Sequence, residues 1–286
     1  MSVAVQLIMN GLIIGSIYAL VATGFSLIYN VTKFVHFAHG SVVAFAAYIF
    51  YLLIKLGLGL PLSIILTIII ASIFGAVIDW IVYRPLRKRK ASAAVLLIAS
   101  IGLMILLNSA ILAVAGADVK SIPITNPVFD VWGARITQLQ VIIIAMVFLL
   151  LIGLYFFMKH TKLGKAMRAT ADNNAVAQTV GINPQKMYTY VFMIGSGLAG
   201  VAGILVGLEQ NLFPEMGTSM IIKGFTGAVI GGMSSVPGSV AGSLFVGLVE
   251  NIGIWWLPSG YKDAIAFALL FVFLLFKPKG MFGGKS

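Results

Sequence analysis

KHTKLGKAMRATADNNAVAQTVGINPQK, residues 159–186, is a conspicuous polar insert in a chain that is otherwise apolar almost throughout. It is basic at its front, small and amide-rich in its middle, and closed by Gly-Ile-Asn-Pro. The flanking segments read as bilayer-soluble, and the insert does not. Charged residues make up 9% of the chain and hydrophobic ones 60%, against about 25% charged in soluble domains. An ordinary soluble protein is excluded.

A helix needs about 20 apolar residues to cross the hydrocarbon layer. Residues 7–29, 61–83, 93–115, 139–158 and 188–208 meet that length. The runs are continuous rather than alternating, so helices are expected, not barrel strands. Residues 7–29 follow no basic leader and read as a retained first span. The chain has no cysteine, which excludes disulfides, thiolate catalysis and Cys-ligated metals. No metal or other cofactor is expected.

The net charge of +11 does not call for a nucleic-acid partner, because the cations gather in three places. Arg84, Arg87, Lys88, Arg89 and Lys90 form one cluster. Lys159, Lys162, Lys165 and Arg168 form a second, and Lys277, Lys279 and Lys285 a third. In the other connectors Asp118, Lys120, Asp130 and Arg135 cancel, as do Lys262 and Asp263. The positive-inside rule puts the three clusters in the cytoplasm.

The expected fold is an all-α polytopic membrane protein, one transmembrane domain over 1–286. It has about eight spans, 39–56, 238–256 and 262–276 completing the set. A ninth, Gly-rich segment at 218–232 is too short for an easy crossing and is expected to be broken or re-entrant. The N-terminus would lie outside and the C-terminus inside. Gly24-Phe25 before Gly40-Ser41-Val42 is echoed by Gly224-Phe225 before Gly238-Ser239-Val240, a weak repeat of the kind transporters carry. Gly195, Ala199, Gly203 and Gly207 recur every fourth residue, as do Gly11, Gly15 and Ala19. That spacing makes flat stripes for close helix packing.

Within the insert, Asp172 or Asn173 is a good N-cap for a short helix through 175–180. Gly181 suits the left-handed position that ends it. Asn183-Pro184 supplies a fresh cap and a proline at the first helical position. A helix this short is unstable alone, so it needs a partner to dock against.

This arrangement resembles the coupling loop of ABC-transporter permeases, here 159–187. The widest form of the family motif has Glu-Ala-Ala and then a glycine; this chain shows Ala171-Asp172-Asn173 and then Gly181-Ile182-Asn183, with Asp172 where glutamate is commoner. NVTKFVHFAHGS (30–41), FPEMG (213–217), GAVIGGMSSVPGSVAGSLFVGLVE (227–250), SGYKDAIAF (259–267) and KPKGMFG (277–283) resemble the LivH-type permease subunit of branched-chain amino acid importers. The likeness runs essentially the full length. It implies a prokaryotic inner-membrane protein and an amino acid substrate. It also implies a related second permease subunit, two cytoplasmic ATP-binding subunits and an external substrate-binding protein. Asn174, Ala175 and Ala177 would then join Ala171, Asp172, Asn173 and Gly181 in coupling to the ATPase.

His36, Phe37, Ala38, His39 and Gly40 sit at the entry to the second span. Polar residues inside a bilayer are candidates for function. Free amides at 38–41 could line a passage or gate, the imidazoles could relay protons, or they could simply bond to carbonyls or sit at the interface. Glu250 lies deep in 238–256 and is expected to be neutral, paired or water-facing. Asn108 could bond across helices, Asp79 should meet the 84–90 cluster, and Lys55 and Lys223 can snorkel. GMFGGKS at 280–286 fails the phosphate-loop spacing, since the first glycine would fall on Lys279. The chain is therefore expected to be a non-catalytic transport subunit, with ATP hydrolysis elsewhere. The alternatives are a urea or short-amide permease and an ion-coupled carrier.

The orientation is directly testable, because a cysteine-free chain gives a clean labelling background. A cysteine at Ala91 should be shielded from an impermeant thiol reagent in intact cells, and one at Asn126 should react. Labelling at Ala91 alone would invert the topology.

Overall fold

The computed structural model describes residues 2–282 apart from Thr125 and Trp132. Lys285 and the end of the 280–286 stretch lie outside the described residues. Helix α1 (Ser2–Thr32) is followed by a break and by α2 (His39–Lys55). Helix α3 (Leu60–Ile78) passes through a π-turn (Asp79–Tyr83) into α4 (Arg84–Lys88), and α5 (Ala93–Ala115) returns. A hairpin of β1 (Val128–Val131) and β2 (Ala134–Thr137) pairs Val128 with Thr137 and Val131 with Ala134. Then come α6 (Gln138–His160), α7 (Lys162–Asp172), α8 (Asn174–Thr179), α9 (Pro184–Glu209), α10 (Met216–Gly231), α11 (Val236–Gly253) and, after a 3₁₀ turn, α12 (Lys262–Phe276).

Seven of these helical stretches are long and apolar enough to cross a membrane, and α2 is a shorter apolar helix. With α10 as the short segment, the expected count holds. Two differences have physical causes. The 84–90 cluster is not a plain loop: the helix that begins at Leu60 continues to Lys88. Pro85 has no N–H for a carbonyl one turn back, and the wider π-turn just before it absorbs the defect. The amphipathic α7, with Gly164, Met167, Thr170 and Ala171 buried, went unread because the lysines around it mask its period.

Helices α1 and α9 form the centre. Lipid offers helices no hydrophobic drive to associate, so packing must come from close approach. Gly11 and Gly15 of α1 lie on Leu248, Gly247 and Leu244 of α11. Gly195 and Gly203 of α9 lie on the Gly24 carbonyl of α1 and the Val43 carbonyl of α2. Both stripes pack as their spacing implies. Residue numbers along α1 and α11 run in opposite directions through these contacts, so the two helices are antiparallel. The faint repeat has a structural counterpart: α1, a break at 33–38 and α2 are echoed by α10, a break at 232–235 and α11.

A side chain at Gly247 would place its Cβ 2.5 Å from Gly15 Cα and 2.6 Å from the Gly11 carbonyl. Gly247→Val should therefore destabilise the detergent-solubilised protein by about 1–3 kcal/mol, the usual cost of overpacking. Gly102→Val meets open space and should leave the melting temperature nearly unchanged.

Candidate functional site

Lys33, at φ +59°, turns the chain out of α1. His39 starts α2 inside the protein, fully buried. There α2 meets the start of α10: a Cβ on Gly40 would collide with the Gly217 carbonyl and lie 2.6 Å from the Ile221 Cβ. Two helix N-termini therefore abut in the packed interior, with glycine on each side. Phe37 lies over Phe225 of α10, ring centres 5.3 Å apart.

The amides of Ala38, His39 and Gly40 are not free. Ala38 N–H donates to Ser100 Oγ of α5 (3.1 Å), His39 N–H to the His36 carbonyl and Gly40 N–H to the Phe37 carbonyl. The first turn closes on itself and α5 supplies the missing acceptor, so the expectation of bare amides is corrected for Ala38, His39 and Gly40. His36 Nδ1 is 2.8 Å from the Tyr83 hydroxyl and 3.4 Å from Ser100 Oγ. Among the described residues, its other ring nitrogen and both of those on His39 have no close hydrogen-bond partner. Both imidazoles are buried, so neither lies at an exposed interface.

Asn108 of α5 bonds across helices as expected. Ser41 Oγ–H donates to its Oδ1 at 2.8 Å, and its Nδ2 donates to Thr218 Oγ of α10 at 2.8 Å. This trio laces α2, α5 and α10 together beside the Gly40–Gly217 contact.

Glu250 is fully buried and paired. Its Oε2 accepts from the Tyr18 hydroxyl at 3.0 Å and lies 3.6 Å from Lys223 Nζ. Lys223 also reaches Asp263 Oδ1 at 2.9 Å. Lys223 is only 7% exposed, so it does not snorkel; the carboxylates on α11 and α12 give its ammonium a nearer partner than water. Lys262, in turn, donates to Asn251 Oδ1 at 3.1 Å. Sequence reading missed Tyr18 and the pairing of Lys223 with Glu250. The available signal was the pairing of opposite charges in two apolar segments.

At the basic end, Asp79 holds Arg87 at 2.6 Å and accepts from the Thr189 hydroxyl at 2.8 Å. The Arg87 guanidinium lies 4.7 Å over the Tyr188 ring. The insert folds as its caps dictate. Asn173, rather than Asp172, caps α8, its Oδ1 accepting from the Ala175 and Val176 amides at 3.0 and 3.1 Å. Asp172 closes α7 instead. Gly181 ends α8 at φ +84°, and Asn183 caps α9 through the Gln185 and Lys186 amides. Asn174 Nδ2 donates to the Tyr188 hydroxyl at 2.8 Å. Ala171 and Ala177 are buried against the chain itself, which removes them from any outward face. Ala175, Val176 and Val180 point outward, the two valines 57% and 70% exposed.

Residues 7–274 match the family described as "Branched-chain amino acid transport system / permease component". The chain belongs to this family. It is 36% identical to the high-affinity branched-chain amino acid transport system permease protein BraD of Pseudomonas aeruginosa, covering 97% of this chain and 95% of that protein. The LivH permease of Salmonella typhimurium is 34% identical over the same shares. A probable LivH permease of Methanocaldococcus jannaschii is 31% identical over 97% and 92%. The fold resembles PsaBC from Streptococcus pneumoniae, solved with a Fab, at a TM-score of 0.52 and 15% identity over 96% and 92% of the two chains. The family gives the permease its transport role and makes it a multi-pass membrane protein.

Removing one partner of a buried ion pair strands the other charge, at a cost of about 3–5 kcal/mol. Lys223→Met and Glu250→Gln should each lower thermal stability and uptake sharply. The double variant should recover part of the stability of Lys223→Met, since the two sites couple. Strictly additive losses would show that the pair does not act as one unit.

Proposed function

We propose that the permease imports branched-chain amino acids through the α2–α10 junction, driven by ATP hydrolysis on a cytoplasmic partner that seats on α8. The observation that carries the second half is α8 itself. A six-residue helix, bordered by Asn173 and Gly181, holds Val176 outward, with Val180 exposed just past its end. Exposed apolar residues grouped on a rigid, capped element mark an interaction surface. In this reading the three basic clusters face the cytoplasm, the N-terminus lies outside, and the coupling residues are Asp172, Asn173, Asn174, Ala175 and Gly181. Ala171 and Ala177 support α8 from behind.

A contact path leads inward from that surface: Asn174 to Tyr188, Tyr188 to Arg87, Arg87 to Asp79, and Asp79 to Thr189. It joins α8 to α9 and to the end of the α3–α4 helix, so a push on α8 reaches two spanning helices. The passage reading is supported by the lining chemistry. A branched-chain amino acid is a zwitterion with an apolar side chain. Phe37, Phe225 and Ile221 suit the side chain, and the Ser41–Asn108–Thr218 trio suits the polar end. His36, Ala38, His39, Gly40 and Glu250 frame that junction. A related second permease would complete the passage, and an external binding protein would deliver the substrate. The branched-chain titles of relatives at 31–36% identity favour this substrate over a short amide.

Docking is tested by Val176→Asp, which puts a charge on the outer face of α8 without touching the bundle. It should abolish co-purification of the ATP-binding subunits and cut leucine uptake at least about tenfold, the scale of a lost interface anchor, while the permease still inserts. Unchanged co-purification would remove α8 as the docking element.

A further inference from the structure

Between α6, the basic end of α1 and the start of α11 runs a groove of about 770 Å³, within the size range of ligand sites, about 300–1,000 Å³. Its walls are sorted by chemistry. Phe148, Leu151, Leu154 and Met158 of α6 face Leu27 of α1 and Val236 and Val240 of α11. At one end the apolar walls give way to Lys159, Arg168, Asn30, Ser234 and Ser235. Two cations and no carboxylate line it.

The dimensions match a lipid. From Phe148 to Lys159 helix α6 rises about 16 Å at ~1.5 Å per residue. Half of the ~30 Å hydrocarbon layer is about 15 Å. The apolar part thus spans one leaflet, and the cations stand at headgroup level. Helix α11, 18 residues long, begins at this rim, so its positive end adds to the two cations. Lys159 and Arg168 are both exposed and carry no ion pair among the described residues. Lys159 Nζ contacts the Tyr155 hydroxyl at 3.3 Å, and Arg168 donates to the Lys159 carbonyl at 3.4 Å. Both charges are thereby gathered at the mouth.

We propose that this groove is a binding site for an anionic phospholipid, with the acyl chains along α6 and the phosphate held by Lys159 and Arg168 at the start of α11. Basic pockets beside membrane helices select anionic headgroups in this way. A neutral lipid fills the apolar wall equally well but leaves both cations unanswered. The site needs no part of the docking proposal.

The test is native mass spectrometry of the full-length permease, with the subunits that co-purify, given equal amounts of phosphatidylglycerol and phosphatidylcholine with matched acyl chains. The wild type should retain the anionic lipid with about a thirtyfold preference, the scale of two cations at an anionic surface. Lys159→Gln with Arg168→Gln should erase the preference, and Lys162→Gln with Lys165→Gln should keep it, since those lysines are exposed but do not line the groove. Equal loss in both pairs would reduce the effect to general surface charge. A preference that survives Lys159→Gln with Arg168→Gln would refute the site, as it would if another subunit covered the groove. Displacement of the lipid by soluble glycerophosphoglycerol at the same concentration would assign the rim to free phosphate esters instead.

Discussion

Backbone against backbone is the contact on which the rest of this permease depends. In a bilayer, leucine is as content facing lipid as facing a neighbouring helix, so apolar area cannot decide which helices associate. Glycine can. Gly15 against Gly247, Gly24 against Gly195 and Gly203 against the Val43 carbonyl bring α1, α9, α2 and α11 close enough that their backbones touch. The dense contacts made possible by this approach fix which helices are central. The outer helices α5, α6 and α12 contribute few fully buried residues. They gain their places through polar ties instead: Asn108 and Ser100 for α5, and Asp263 and Lys262 for α12.

The same rule explains where helices stop. A chain end inside the membrane must satisfy its own amides. The break at 33–38 does so with Ser100 and with the carbonyls of His36 and Phe37, so the protein tolerates a helix start in its interior. Gly40 and Gly217 then let two such starts meet. A buried Glu250 would be prohibitive alone. Lys223 and Tyr18 make it tolerable, and Lys223 lies on α10, the short helix that begins at the junction. The charges of α10, α11 and α12 and the junction of α2 and α10 are therefore mechanically one assembly.

Much of this was legible in the sequence. Continuous apolar runs fixed the spans to within a few residues, because hydrophobic length is a one-dimensional property. The caps at Asn173, Gly181 and Asn183 were legible for the same reason: each acts within four residues. What escaped were facts about faces and partners. Ala177 and Ala175 look alike in sequence, yet one packs inward and the other outward, which depends on how α8 rolls on α9. Lys223 reads as a snorkelling lysine until Glu250 and Asp263 are brought to it from 27 and 40 positions away. The Ala38 amide reads as free until Ser100 arrives from α5. In each case the decisive neighbour is remote in sequence, and local pattern carries no trace of it.

The two proposed regions make different physical demands, and the permease meets them differently. A docking surface must be rigid and must be recognised, so α8 is built from caps that leave its backbone little freedom. A passage must open and close without binding its cargo tightly, since a substrate held firmly in the membrane would not be released. The α2–α10 junction suits that demand. Its two glycines carry no side chains to interlock, so the helices can slide over one another with little resistance from packing. The Ser41–Asn108–Thr218 trio offers neutral hydrogen bonds rather than a fixed charge. Of the charges nearby, Lys223 and Glu250 already answer each other, and Glu215, exposed at the start of α10, stands beside Asn108. An arriving zwitterion would find mostly neutral polar company at the junction, and selectivity for the substrate is then better placed on the protein that delivers it.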